Sequence, residues 1–370
     1  MIIGVPKEIK QNEARVGLVV AGVKTLIKAG HRVLIETNAG IGCGIIDNAY
    51  KEAGAEIVKS PREIFDSANM IVKVKEPIDR ELEYLHENQI LFTFLHLAAV
   101  PHVAKALIAK KVNAVAYETI QTPDNALPVL KPMSEIAGKL SSQVGAYFLQ
   151  RDKEGCGKGL LLGGVPGVKR GRVIVIGGGV AGMNAAKIAV GMGAEVTVID
   201  REVKRLEFLE DIFGTRVKTL MSNISNIEES VRQADLIIGS VLVPGGKAPK
   251  IITKQMIGEM EKGTVIVDIS IDQGGCIETI RPTTHEDPTY EVQGVIHYGV
   301  TNIPAAVART STYALTNATF PYVIQLANKG LLGAVRENPS LYKGVNVYQG
   351  KITYKTVADD LGLSFQSLEF

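Results

Sequence analysis

Residues 173–200 read VIVIGGGVAGMNAAKIAVGMGAEVTVID. An apolar β-branched run meets a cluster of glycines, a helix-like stretch follows, and a second apolar run stops on an acid. Gly177, Gly179 and Gly182 satisfy G-x-G-x-x-G after a strand and at the opening of a helix, the context in which this pattern means dinucleotide binding. The first glycine makes the tight turn, the second lets the backbone approach a pyrophosphate, and the third permits close helix–strand packing. The helix N-terminus adds unpaired N–H groups and positive dipole for the phosphates. Asp200 lies 18 residues beyond Gly182 at the end of the second strand, where a carboxylate can bind both ribose hydroxyls and repel a 2′-phosphate. NAD is therefore expected over NADP, although Arg201, Lys204 and Arg205 follow at once. The P-loop pattern G-x-x-x-x-G-K-[ST] does not occur.

Working outward, β-branched runs alternate with helix-period segments in two blocks. The first holds IIGVP, HRVLIET, ANMIVKV, NQILFTFL and NAVAYET, with helical stretches such as GVKTLIKAG and PHVAKALIAKK between them. The second holds GRVIVIGG, AEVTVID, RVKTLM, ADLIIGSV, GTVIVDIS and GVIHYGV. Alternation of this kind predicts βαβ units and parallel sheets, hence two doubly wound α/β domains. Between the blocks, KPMSEIAGKLSSQVGAYFLQ reads as a helix capped by Ser134. Gly138, Ser141, Ser142 and Gly145 share one of its faces, for helix–helix packing or for contact with a ligand. After the last strand a helix runs through STYALTNATFPYVIQLANKG, with Pro321 expected to kink it and Gly330 to end it. The remaining residues 331–370 are too few for a third domain, so the chain is expected to return to its first domain. The NAD-binding domain (131–306) is then an insertion in a discontinuous substrate domain (1–130 and 307–370).

The bulk numbers narrow the class. The 370 residues are 46% hydrophobic, enough for large cores in two domains. Forty-one basic residues against 39 acidic ones leave a net charge of +2, both signs are interspersed, and tryptophan is absent. Neither a polyanion patch nor an aromatic stacking platform is evident, so no nucleic-acid partner is expected. Cys43, Cys156 and Cys276 are widely spaced, without a CxxC pair or HExxH-like metal spacing, so neither a disulfide framework nor a metal is expected. The most apolar stretch, ILFTFLHLAAVPHVAKALIA, is interrupted by His96, Pro101, His102 and Lys105, which lipid disfavours. A cytoplasmic protein with no membrane partner is expected.

Candidate chemistry gathers at the carboxyl ends of predicted strands, where open α/β sheets bind ligands. Arg15 follows the first strand and could clamp a carboxylate; Lys75 ends the apolar run in MIVKVKEP, with Lys73 two residues away on the same face as a competitor; His96 closes ILFTFLHLAA. Asp268 and Asp272 flank the end of GTVIVDIS, and either could orient an amine or a water. Arginine for a carboxylate, lysine for a carbonyl or imine, and histidine for the proton would suit a small 2-oxo or 2-amino acid beside a nicotinamide.

The segments MIIGVPKEIKQNEARV, VKVKEP, LFTFLHLAA, KPMSEIAG, LLGGVPGV, the glycine stretch, VDISIDQGGC, RPTTH and TSTYALTNATFPYV together resemble the NAD-dependent alanine dehydrogenases over nearly the whole chain. The resemblance implies reversible oxidative deamination of L-alanine to pyruvate and ammonium, and assembly as a homohexamer. It implies that Arg15 binds the substrate carboxylate, that Lys75 and not Lys73 contacts the carbonyl or amino group, and that His96 is the general acid/base. Asp272 and not Asp268 would assist the water and ammonia steps, with Met133 and Asn302 beside the substrate. Ser134, Gly177, Gly178, Gly179, Val180, Gly182, Asp200, Arg205, Ser222, Val241, Leu242 and Ile269 would line the NAD site. One departure stands out: where the family usually reads Thr-Pro after the arginine, this chain has Val19-Val20, which removes a helix-starting signal. Two alternatives share the architecture. One is the soluble NAD-binding part of a nicotinamide nucleotide transhydrogenase, which would not need Lys75 and His96. The other is a non-catalytic NAD-binding sensor, which would not need the Arg/Lys/His/Asp set.

Overall fold

The computed structural model describes residues 1–151, 157–241 and 248–368. Cys156 and Leu242 lie outside the described residues. Backbone contacts divide the chain into two compact units, Met1–Met133 with Ala305–Phe370, and Ser134–Pro304.

The first unit is built on an eight-stranded sheet. Its strands are β1 (Ile2–Val5), β2 (Arg32–Glu36), β3 (Glu56–Val58), β4 (Met70–Val72), β5 (Ile90–Thr93) and β6 (Asn113–Ala116), joined later in the chain by β14 (Val345–Tyr348) and β15 (Lys351–Ile352). The order is β15-β14-β6-β5-β4-β1-β2-β3. Strands β1 to β6 are mutually parallel, while β14 lies antiparallel on β6 and β15 antiparallel on β14. Strand order therefore reverses between β1 and β4, which makes that gap the switch point where loops diverge to opposite faces. The second unit repeats this plan with β7 (Arg172–Ile176), β8 (Glu195–Asp200), β9 (Val217–Met221), β10 (Leu236–Gly239), β11 (Val265–Asp268), β12 (Thr289–Val292) and β13 (Val295–Tyr298). Its order, β12-β13-β11-β10-β7-β8-β9, reverses between β7 and β10. Both sheets are thus doubly wound α/β layers.

Alternation along the central strands divides the second core in two. Val173, Val175, Leu236, Ile238, Val265 and Val267 join one buried cluster, and Ile174, Ile176, Ile237 and Ile266 join another. Period-two side chains that are apolar on both faces need a helical layer on each face, as in a buried parallel sheet.

Of three local expectations, two are corrected and one holds. The helix expected to start at Ser134 runs Lys131–Phe148, so Ser134 is an early helical residue and not its cap; Pro132 falls near the start, where its missing N–H costs nothing. On the small-residue face, the packing reading holds: a Cβ on Gly138 would lie 2.1 Å from the Ala181 carbonyl oxygen, and the Ser142 hydroxyl donates to the Ala185 carbonyl at 2.8 Å. Third, Ala308–Glu337 stays helical through Pro321, and the break falls at Gly330 (φ 66°, ψ 176°), after which helix resumes instead of ending. Only a glycine adopts that backbone cheaply. The helix after Arg15, Val20–Lys28, forms without the family's proline, and Val19 precedes it with no side-chain cap.

Candidate active site

In the first unit the β1–β4 switch point collects charge. Leaving β1, the chain places Glu8 in the interior, where one oxygen accepts the Val74 N–H at 2.6 Å and, more weakly, that of Lys75 at 3.4 Å. The loop after β1 is thereby tied to the loop after β4. Lys73 is 1% exposed and contacts Glu81 at 2.5 Å and Glu8 at 3.3 Å. Burial works against its charge, yet the two carboxylates hold its pKa above the ordinary lysine value; burial raises that of Glu8. Lys73 is committed to this triad, whereas Lys75 is only half-buried. A second tie follows, because the Lys10 ammonium meets the buried Glu76 carboxylate.

Arg15 is 2% exposed. Its Nε donates to Glu13 Oε1 at 2.7 Å and a terminal nitrogen to Glu13 Oε2 at 2.5 Å, a bidentate pair that sets the plane of the guanidinium. The other terminal nitrogen reaches the Met133 thioether at 3.2 Å. Arg15 and Met133, far apart in sequence, are brought together.

The loop after β4 is next tied to β5: the Thr93 hydroxyl donates to the Lys75 carbonyl at 2.9 Å. Three residues on, His96 has φ +47°, a left-handed backbone for a residue with a Cβ. Its side chain is 43% exposed and its ring lies parallel to Phe94, with centroids 5.7 Å apart. Glu118, from the turn after β6, accepts the His96 N–H at 2.7 Å and the Leu95 N–H at 3.2 Å. Carboxylates at successive strand ends thus determine where Arg15, Lys75 and His96 stand.

In the second unit the β7–β10 switch point is built from backbone. Gly177 has φ +95°, and a Cβ there would lie 2.7 Å from the Ser240 carbonyl oxygen; a Cβ on Gly182 would fall 1.8 Å from the Gly177 oxygen. Gly179 meets nothing within 4 Å. The turn is therefore closed where it touches its own fold and open at Gly179, as close approach of a phosphate requires. The Ser240 hydroxyl braces it from β10, donating to the Gly177 carbonyl at 2.7 Å. Asp200 accepts the Gly178 N–H at 2.6 Å and the Glu202 N–H at 2.9 Å, and its carbonyl accepts the Ser222 N–H at 2.9 Å. Arg205 donates to the Gly178 carbonyl and to that of Gly179 at 3.2 Å. Val180 opens the helix Val180–Gly191. These residues could hold an adenosine diphosphate moiety.

The two aspartates after β11 differ sharply. Asp268 is fully buried and accepts the N–H groups of Ser270, Cys276 and Ile277 at 2.9, 2.8 and 3.2 Å; burial raises its pKa against these bonds. It holds the loop, and Ser270 passes the tie on by accepting the Val241 N–H at 2.8 Å. Ile269, half-buried, packs against the core. Asp272 is exposed in the short helical turn Ile269–Gln273 and accepts the Asn302 N–H at 3.3 Å. Asn302 is itself left-handed, with φ +58°.

Glu8, Glu13, Glu118 and Ser240 were not among the residues singled out from sequence. Glu118 lies just past the end of β6 as His96 lies just past the end of β5, but the signal is readable only once β5 and β6 are known to be neighbours. Glu13, two residues before Arg15, carried a local signal that could have been followed.

Family models for the alanine dehydrogenase/PNT N-terminal and C-terminal domains match residues 4–137 and 141–355. The chain is 58% identical over 370 residues to an alanine dehydrogenase of Methanococcus maripaludis, covering 100% of this chain and 99% of that protein. It is 54% identical to an alanine dehydrogenase of Bacillus subtilis, covering 100% and 97%. A solved L-alanine dehydrogenase superposes with a TM-score of 0.94 at 51% identity, covering 98% of this chain and 99% of that one. A transhydrogenase from Sinorhizobium meliloti shares the fold at a TM-score of 0.81 and 23% identity, covering 96% and 99%. Matched by both domain models and along its whole length by relatives of high identity, the chain belongs to the alanine dehydrogenase/PNT family.

Proposed function

We propose that this protein catalyses the reversible oxidative deamination of L-alanine to pyruvate and ammonium with NAD as the hydride acceptor. What supports this reading most is the 58% identity with a relative named alanine dehydrogenase across all 370 residues. The turn at Gly177–Gly182, open at Gly179, and the ordered Asp200 carboxylate suit NAD, which when bound supplies a ring carbon that takes hydride from the amino-acid Cα. Asp200 would accept the ribose hydroxyls and disfavour a 2′-phosphate.

On the amino-acid side, the Arg15 guanidinium pairs with the substrate carboxylate, its plane preset by Glu13. Lys75 directs its ammonium to the substrate nitrogen or, in reverse, to the pyruvate carbonyl oxygen. As the Cα–H bond breaks, the amine becomes an imine and its nitrogen gives up a proton, which His96 takes. Water then adds to the imine carbon; the carbinolamine hydroxyl loses its proton, the C–N bond breaks, and ammonia leaves protonated. Asp272 orients that water and the departing ammonia. Met133 and Asn302 lie beside the substrate. The assembly is a homo-oligomer, hexameric as in the resemblance, and works in the cytoplasm.

The test is NADH formation from L-alanine and NAD by the purified chain, with pyruvate and ammonium as the reverse assay and NADP in parallel. Turnover in both directions with NAD is expected, and His96→Ala is expected to lose 10²-fold or more in kcat (order of magnitude from general acid–base catalysis) while still binding NAD. NAD binding without turnover in either direction would favour the transhydrogenase or sensor reading instead.

A further inference from the structure

We propose that Glu118 is a positioning residue that acts through His96. The observation is a single carboxylate with three neighbours on one strand exit. It accepts the N–H of His96 at 2.7 Å and that of Leu95 at 3.2 Å, and it stands 4.0 Å from His96 Nδ1. His96 has φ +47°, a conformation that costs a non-glycine residue of order 1 kcal/mol or more and persists only when its surroundings enforce it. Charge-assisted bonds to both peptide N–H groups are such an enforcement. They orient the peptide so that the imidazole leaves the strand end flat against Phe94 at a centroid distance of 5.7 Å. With Nδ1 on the Glu118 side, the ring is turned so that Nε2 faces away from Glu118. The carboxylate is only 16% exposed and comes from the turn that follows the neighbouring strand β6, since Thr93 pairs with Ala116 in the β5–β6 register. The sheet therefore delivers Glu118 beside His96 as a consequence of strand order.

This inference rests on the reading that His96 carries the proton in the proposed reaction. A positioning role predicts non-additivity between the two residues. Glu118→Ala should lower kcat in both directions by about 10- to 100-fold, the order expected when a catalytic group is displaced by about 1 Å. KM for L-alanine and the Kd for NAD, measured by nucleotide fluorescence, should stay within about threefold because Arg15 and the glycine turn are untouched. In the His96→Ala background the same substitution should change kcat by less than about twofold. Glu118→Gln, whose amide oxygen can still accept both N–H groups, should recover a substantial part of the loss and covers the case in which Glu118→Ala does not fold. Equal losses from Glu118→Ala in the two backgrounds, or near-normal kcat in both Glu118 variants, would overturn the proposal. Normal turnover by His96→Ala would instead sink the reading beneath it, and the two failures are told apart by that single variant.

Discussion

At the β7–β10 switch point the turn is bare backbone braced by one serine, and at the β1–β4 switch point the same topological space holds Glu8, Glu13, Arg15, Lys73 and Glu81. Both solve one problem, which is to keep a polar site preformed at the edge of an apolar sheet. The glycine turn does it by sterics: hydrogen bonds along the chain and the lack of side chains determine its shape, and few partners are needed. The charged site does it by pairing: buried Arg15 leans on Glu13 of its own loop, and buried Lys73 on Glu8 from another. The first should tolerate changes in its surroundings and fail when a glycine gains a side chain. The second should fail when any one charge is removed.

The largest expected effect is on the charged side. Lys73→Met leaves Glu8 and Glu81 buried without their cation, and removing one partner of a buried ion pair typically costs about 3–5 kcal/mol. Lys75→Met, on the same segment but half-buried, should change stability by less than about 1 kcal/mol and abolish turnover. Urea unfolding of the two variants separates them; equal losses of stability would break the distinction drawn between the two lysines.

Next is the backbone side. Gly182→Ala forces a methyl to 1.8 Å from the Gly177 oxygen, so the turn must move; overpacking of this kind costs about 1–3 kcal/mol, and NAD binding should weaken with it. Gly179→Ala meets nothing within 4 Å and should leave the melting temperature unchanged while weakening NAD binding, because the methyl occupies the side a phosphate approaches. Titration calorimetry alongside thermal unfolding checks this, and undiminished NAD affinity in Gly179→Ala would count against the turn as the phosphate site.

A smaller effect concerns pH. His297 is fully buried; its Nδ1 lies 2.9 Å from the Val295 carbonyl oxygen and must carry the proton, leaving Nε2 to accept from the Thr279 hydroxyl at 2.7 Å. Burial lowers its pKa. Below the unfolded value of about 6.5 the unfolded chain takes up a proton that the folded chain refuses, so stability falls as pH drops from there toward the folded pKa. The slope from this one group is at most about 1.4 kcal/mol per pH unit. His297→Asn should remove it, and denaturant unfolding at pH 7.5 and 5.5 on both proteins reads the difference; an identical pH dependence would show that His297 does not titrate this way.

The smallest expected change is at Asp200. Asp200→Gly removes the acceptor for the Gly178 N–H and the charge that opposes a 2′-phosphate, so the NAD-to-NADP preference should narrow, read as the ratio of kcat/KM values. An unchanged ratio would transfer the selectivity to other residues of the turn.

What was legible without coordinates is whatever the chain encodes over a few neighbouring residues. The period-two apolar runs announced both parallel sheets, and G-x-G-x-x-G with a distant acid announced the turn at Gly177, because strand, turn and helix signals there are consecutive. Short or polar strands such as β3 and β12, and the β14–β15 pair, carried weak patterns and were not foreseen. Neither was the resumption of helix after Gly330, since a glycine at that place reads locally as a helix stop. Spacing alone left Asp268 and Asp272 even; the structure adds that Asp268 is fully enclosed and holds three backbone N–H groups while Asp272 is exposed. The partners Glu8 and Glu118 needed the order of strands, which is set by how whole sheets pack and twist. A local pattern can specify a backbone turn, but a pair of charges from different strands meets only after long-range packing has chosen which strands are neighbours.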